Sequence, residues 1–141
     1  MDAFDQSKVG SEKALSLARE FGVVIDYQVS GLDRFGFRQN YYDAVGLFFF
    51  HAPPAERKML HKQVYTVLKR GGIVMLEAFH KQQLENGTGG PQSLEMLFDK
   101  ETILDDFPGL EIVFIEELYL TLDEGPFHQG MANIIRLIGK K

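Results

Sequence analysis

Residues 42–50 read YDAVGLFFF, and after Asp43 the run is almost unbroken in apolar character. A strand with one wet face alternates polar and apolar side chains. A strand buried on both faces reads as a continuous apolar stretch, and such strands belong to parallel sheets covered by helices. A second stretch of this kind, IVMLEAF, occupies residues 73–79. Between the two, Pro53 and Pro54 suit the first turn of a helix. Met59, Leu60, Val64, Val67 and Leu68 supply its inward stripe, and Gly71-Gly72 are expected to stop it. Strand, helix, strand is the repeating unit of α/β architecture.

The flanking segments extend the pattern. Ala14, Leu15, Leu17, Ala18 and Phe21 give residues 7–21 a helical period, closed by Gly22. Residues 23–29, VVIDYQV, are β-branched and predict a strand, followed by a polar loop with Gly31, Gly36 and Asn40. Residues 80–98 predict irregular structure. Asp99 can cap a short helix reaching Asp106, which Pro108-Gly109 close. Residues 111–122 alternate, Asp123-Glu124-Gly125-Pro126 signal a turn, and residues 131–138, MANIIRLI, predict a last strand. A turn that short implies an antiparallel hairpin. The expectation is one α/β domain over residues 1–141, with a mostly parallel, Rossmann-like sheet flanked by helices and ending in that hairpin.

Composition narrows the function. The formal charge is -5, from 15 basic and 20 acidic residues, which argues against nucleic acid as the main partner. The absence of cysteine excludes disulfides, thiolate metal sites and a cysteine nucleophile. No apolar run approaches the ~20 residues of a membrane helix, and no signal peptide is visible, so a cytoplasmic protein without a membrane partner is expected. No His and carboxylate spacing suggests a metal. The stretch GTGG at residues 87–90 is not a phosphate loop, since no Lys-Ser/Thr follows it. A mobile loop over a substrate pocket is the expectation there. His80, Tyr119 and His128 can share that rim, although each reads first as a surface or packing residue.

Several stretches, taken in order, resemble class I S-adenosylmethionine (SAM) methyltransferases, in particular the small-molecule group that includes tellurite-resistance and thiopurine-type enzymes. DQS at residues 5–7 looks like the end of that family's second strand. YDAVGLFFFHAPPAERKMLHKQV is similar to its fourth strand and following helix, and LKRGGIVMLEAF to its "LKPGG" turn and fifth strand. LENGTGGPQSLEML and DEGPFHQGMANIIRLIGKK resemble its later segments.

The resemblance implies transfer of a methyl group from SAM to a small-molecule acceptor. It also implies site residues. Asp5, with Gln6 beside it, would accept hydrogen bonds from the ribose hydroxyls, since a carboxylate offers two acceptor oxygens. As a lone residue, Asp5 reads as a helix cap or a solvated acid. Many members place an acid near residue 31 to meet the adenine amino group. Here Gly31 stands at that point, Asp33 follows two residues later, and Leu32 can pack on the adenine. Gly31 can equally be a turn glycine. Leu47 and Phe48 would lie by the methionine part of the cofactor. His51 would stand where acceptor and sulfonium meet, either as a base or as a residue tying the turn before Pro53.

Class I members begin with a strand and a GxGxG turn, and no such motif occurs in these residues. The resemblance therefore implies an N-terminally truncated domain whose first, central strand is missing. Weak SAM binding at best is expected. The apolar fourth strand would be left with an unpaired edge, a template for self-association into a homo-oligomer. An alternative reading is a non-catalytic, oligomerising α/β domain derived from a methyltransferase.

Overall fold

The computed structural model describes residues 1–125 and 128–141. Pro126, expected in the last turn, lies outside the described residues. The chain forms two compact units, residues 1–37 and 38–141.

The first unit holds β1 (Asp2–Asp5), α1 (Lys8–Glu20) and β2 (Asp26–Val29). β1 and β2 pair in parallel, with Asp2 opposite Asp26 and Asp5 opposite Val29. Ser7 is the N-cap of α1, its hydroxyl accepting the Gly10 N–H at 2.9 Å. Gly22 takes φ 65° just past the helix, the left-handed conformation that ends helices. Residues 23–25 stay outside β2, so the strand is shorter than its β-branched sequence predicts. Phe4, Phe35 and Phe37 close the unit as an aromatic cluster, Phe4 stacking on Phe35 at 4.3 Å.

The second unit contains β3 (Tyr42–Phe48), α2 (Pro54–Val67), β4 (Leu68–Phe79), α3 (Lys100–Asp106), β5 (Glu111–Asp123) and β6 (Gln129–Lys140). Its sheet runs β3-β4-β6-β5. β3 and β4 are parallel, and β5 and β6 form the expected antiparallel hairpin. The core gathers Phe79, Leu97, Leu122, Ala132 and Ile134, with Phe49, Leu84, Leu118 and Leu120 against them.

Several expectations need correction. β3 is buried on one face only. Leu47 turns inward, while Ala44, Gly46 and Phe48 are exposed, Phe48 at 65%. The phenylalanines of this run are therefore not all core. Tyr41 and Phe49 give their N–H groups to Val67 and Glu77. By the alternation of a strand, Ala44, Gly46 and Phe48 direct theirs to the side where no strand pairs among the described residues.

Gly71-Gly72 do not stop α2. The helix ends at Val67 and β4 passes through both glycines. Gly71 absorbs a left-handed φ of 79° there, and its N–H donates to Lys141 O at 2.7 Å.

The inward face of α2 also differs. Met59 is exposed, while Arg57 and His61 are buried beside Leu60, Val64 and Val67. Burial of these two is made possible by Asp106 on α3. Its Oδ2 accepts from Arg57 Nε at 2.6 Å and lies 2.9 Å from His61 Nδ1. Burial alone would raise the Asp106 carboxyl pKa, but hydrogen bonds from His61 and Arg57 outweigh it and hold the pKa below the ordinary value.

The segment expected to be mobile is tied down. Gln83, in a short 3-10 turn, donates to Thr88 Oγ1 at 3.0 Å and Gly89 O at 3.1 Å, and its Oε1 accepts Asn133 N–H at 2.8 Å. Thr88 Oγ1 reaches Met131 O at 2.6 Å. A buried amide thus clamps residues 87–90 onto β6.

Candidate functional site

In open α/β sheets, ligands collect beyond the carboxyl ends of parallel strands. Each unit has one such end, and each is described separately.

In the first unit, β1 and β2 finish level with one another. Beyond them Gln6, Val29, Ser30, Gly31, Asp33 and Arg34 line an open cavity of about 270 Å³. Asp5 closes β1. Its Oδ1 accepts the Ser7 N–H at 2.6 Å, a local turn that also sets the start of α1. The side chain is exposed, which leaves its second oxygen open to a ligand. Asp5 therefore serves the local turn and can serve a diol as well.

Gly31 has a definite structural role. A methyl group added there would sit 2.8 Å from Asp33 Oδ1 and 3.6 Å from Gln6 Nε2. The Asp33 carboxylate occupies the space that a side chain at residue 31 would take. Asp33 is exposed and lies 3.6 Å from Arg34 Nε. Ser30 Oγ is buried without a hydrogen-bond partner, an orphan polar atom at the same strand end. Leu32 is not among the lining residues.

In the second unit, β3 ends at Phe48 and Phe49 takes φ 49°, unusual for a bulky residue. His51 follows, with both ring nitrogens engaged. Nδ1 lies 2.8 Å from Met96 O, and Nε2 lies 3.3 Å from Phe79 N. Since the Phe79 N–H can only donate, Nε2 is the acceptor and Nδ1 carries the proton. Burial lowers the His51 pKa, the Met96 carbonyl opposes this, and the charge of His128 lowers it further. His51 is thus held neutral and ties the end of β3 to β4 and to the 94–96 turn. Leu47 is turned inward, and Phe48 faces outward.

The sequence-predicted residues therefore fall into two groups: Asp5, Gln6, Gly31 and Leu32 in the first unit, and Leu47, Phe48 and His51 in the second. Ser30 and Arg34 escaped the sequence analysis because a serine and an arginine in a polar loop carry no pattern. Among the described residues no group of His, Asp and Glu is arranged to hold a metal. No helix among them is long and apolar enough to cross a membrane.

No protein-family model matches this sequence, and no curated protein matches it. Solved structures do match. A SAM-dependent methyltransferase from Methanosarcina mazei superimposes with TM-score 0.73 at 16% identity, over 99% of this chain and 81% of its own. TehB from Haemophilus influenzae gives TM-score 0.74 at 11% identity, over 99% of this chain and 49% of its own. The N-methyltransferase NodS from Bradyrhizobium japonicum, in complex with S-adenosyl-L-homocysteine (SAH), gives 0.70 at 8%, over 99% and 65%. The fold is that of the SAM-dependent methyltransferases. At these identities the likeness concerns the fold. The chain spans between 49% and 81% of the length of these three structures.

The end of β1 and β2 presents acceptors, Asp33 in the cavity lining and Asp5 beside it on β1 but outside that lining. The exposed carboxylates of Asp5 and Asp33 suit a vicinal diol and an exocyclic amine, both donors. The unpartnered Ser30 hydroxyl offers a further polar contact.

Proposed function

We propose that this chain is a methyltransferase domain whose first unit holds the adenosine moiety of SAM, serving methyl transfer to a small-molecule acceptor in the cytoplasm. One observation carries the reading: the cavity beyond the parallel β1–β2 pair is lined by Gly31 and Asp33, the Asp33 carboxylate filling the space above Gly31. Asp5 would accept from the ribose hydroxyls through its free oxygen, with Gln6 alongside. Asp33 would take the adenine amino group in place of an acid at residue 31. In the second unit, taken by itself, Leu47 and His51 would shape the carboxyl end of β3, with His51 positioning the turn and Phe48 offering an apolar face. SAM would supply an electrophilic methyl group on sulfonium, and these residues would bind and orient it.

The test is an amide NMR titration of the whole chain with SAH. Saturable shifts confined to residues 5–6 and 29–34 are expected, in weak binding. Asp5→Asn and Asp33→Asn should each weaken binding by about tenfold, the loss of one charge-assisted hydrogen bond. Unshifted amides in this region at millimolar SAH would sink the reading.

A second reading, a non-catalytic oligomerising domain, is favoured by the edge of β3. Ala44, Gly46 and Phe48 form an exposed apolar stretch of this edge, with a charged residue, Asp43, only at its start. Light scattering is expected to report self-association that Phe48→Lys abolishes. A monomeric wild type across the working concentration range would remove this reading.

A further inference from the structure

The sheet of the second unit has two unlike faces. Strand alternation and register decide which residues share one. On one face Leu47, Val74, Leu76 and Leu137 are buried. On the other, pairing lines up rows of side chains straight across the four strands. One row runs Gly46, Met75, Ile138, Phe114, and the next runs Phe48, Glu77, Arg136, Glu116. Ile138 is 37% exposed, Phe114 41% and Phe48 65%. Farther along the strands this same face is closed, with Phe79, Ile134 and Leu122 in the core.

The Phe48 ring leans back onto the first row. A methyl group at Gly46 would meet that ring at 2.6 Å, so the glycine leaves the ring its place. The row therefore presents an aromatic ring, two aliphatic side chains and a second aromatic ring: Phe48, Met75, Ile138, Phe114. The row beside it carries an ion pair, Arg136 Nε lying 2.5 Å from Glu77 Oε2, with the Arg136 side chain 42% exposed. Parallel strands are ordinarily covered on both faces, and an apolar surface running across a whole sheet marks an interaction site.

We propose that this open face joins two copies of the chain, related by a two-fold axis that runs along the strands between β4 and β6. The rows are their own complement. The axis sets β3 of one copy over β5 of the other, and β4 over β6. Phe48 then meets Phe114 of the second copy, Met75 meets Ile138, and Glu77 faces Arg136. Each contact occurs twice, as an isologous interface requires. A two-fold axis along the apolar row would instead set Arg136 against Lys140 and Glu116 against Glu111, like charge on like. Sheets stacked face to face lie about 10 Å apart, which lets side chains of this size interdigitate. The open rows span roughly 20 Å across the strands and less along them, at the low end of specific interfaces, so the dimer is weak. This surface is the face of the sheet rather than the β3 edge, and it is independent of methyl transfer.

Sedimentation equilibrium of the whole chain tests the proposal. The mass is expected to rise from 16.0 kDa to twice that value over the micromolar range. Ile138→Lys, on an interior strand, and Phe114→Lys, on the strand farthest from β3, should each raise the dissociation constant about tenfold or more. Glu77→Arg and Arg136→Glu should each weaken the dimer. The double variant should restore it, because the charges are then exchanged both within and between copies. A wild type that stays monomeric overturns the proposal. So does undiminished association in either lysine variant with native circular dichroism; the β3 edge, which neither variant touches, would then hold the copies together. Should both lysine variants unfold, a double charge exchange that associates no better than its single variants overturns it instead.

Discussion

Replacing Asp106 by Asn should unfold the second unit far more readily than its single-atom change suggests. Asp106 Oδ2 receives Arg57 Nε at 2.6 Å and lies 2.9 Å from His61 Nδ1, while Oδ1 has no partner. Asn removes the charge opposite a guanidinium whose residue is 5% exposed. It also introduces an NH₂ group that must face either the donors or the empty side. With the NH₂ toward the donors, Arg57 keeps only its bond to Glu95 O at 2.8 Å. Breaking a buried pair by removing one partner costs about 3–5 kcal/mol. At roughly 3 °C per kcal/mol for a chain of this size, Tm should fall by about 10–15 °C.

Urea unfolding followed by circular dichroism measures this, with an unchanged slope marking an intact native state. The triple replacement Arg57→Met, His61→Phe, Asp106→Leu should lie within about 2 kcal/mol of wild type, because an apolar trio needs no charge compensation. A loss below about 1 kcal/mol for Asp106→Asn would refute the reasoning. So would a triple variant less stable than the single one. The sign in acid follows from the lowered pKa: the carboxylate's contribution is present above its unfolded pKa and disappears as pH falls through its folded one.

Asp99 allows a sharper pH test. Burial pushes its carboxyl up, yet hydrogen bonds from Lys81 and Thr102 hold the pKa at about 2. The depressed value contributes about 2 kcal/mol at neutral pH, lost between roughly pH 4 and pH 2. Asp99→Asn should therefore be destabilised near pH 7 and indistinguishable from wild type near pH 2, by urea unfolding at each pH. Gln83→Ala should release residues 87–90 and leave the Asn133 N–H without its acceptor. Faster proteolysis within that loop and faster hydrogen exchange at Asn133 are expected, with a stability loss of about 1–3 kcal/mol.

Much of the fold was legible in local pattern. Asp99 was readable as a cap because its spacing to Thr102 is a local geometric matter, and α3 spans Lys100–Asp106 with that bond in place. The β5–β6 hairpin was readable from two runs and a turn signal. The end of α2 was not. Gly71-Gly72 look like a stop, but β4 takes its register from β3 and β6, and long-range pairing overrides a local glycine signal. Arg57 and His61 were unreadable as buried residues because their partner lies 49 and 45 positions away. The clamp on residues 87–90 was hidden for the same reason: glycines advertise freedom, while Gln83 and Met131 remove it.

The candidate site divides along the same line. From the sequence came Asp5 at a strand end, the departure at Gly31 and the placement of His51 beside β3, since each follows from one strand and its neighbouring residues. Asp33 standing over Gly31 and both His51 nitrogens bonded to backbone came only from tertiary structure. Hydrophobic periodicity is written along the chain because burial acts on every residue of an element. The partner of a polar group is set by where the folded chain brings a second group, and no period records it.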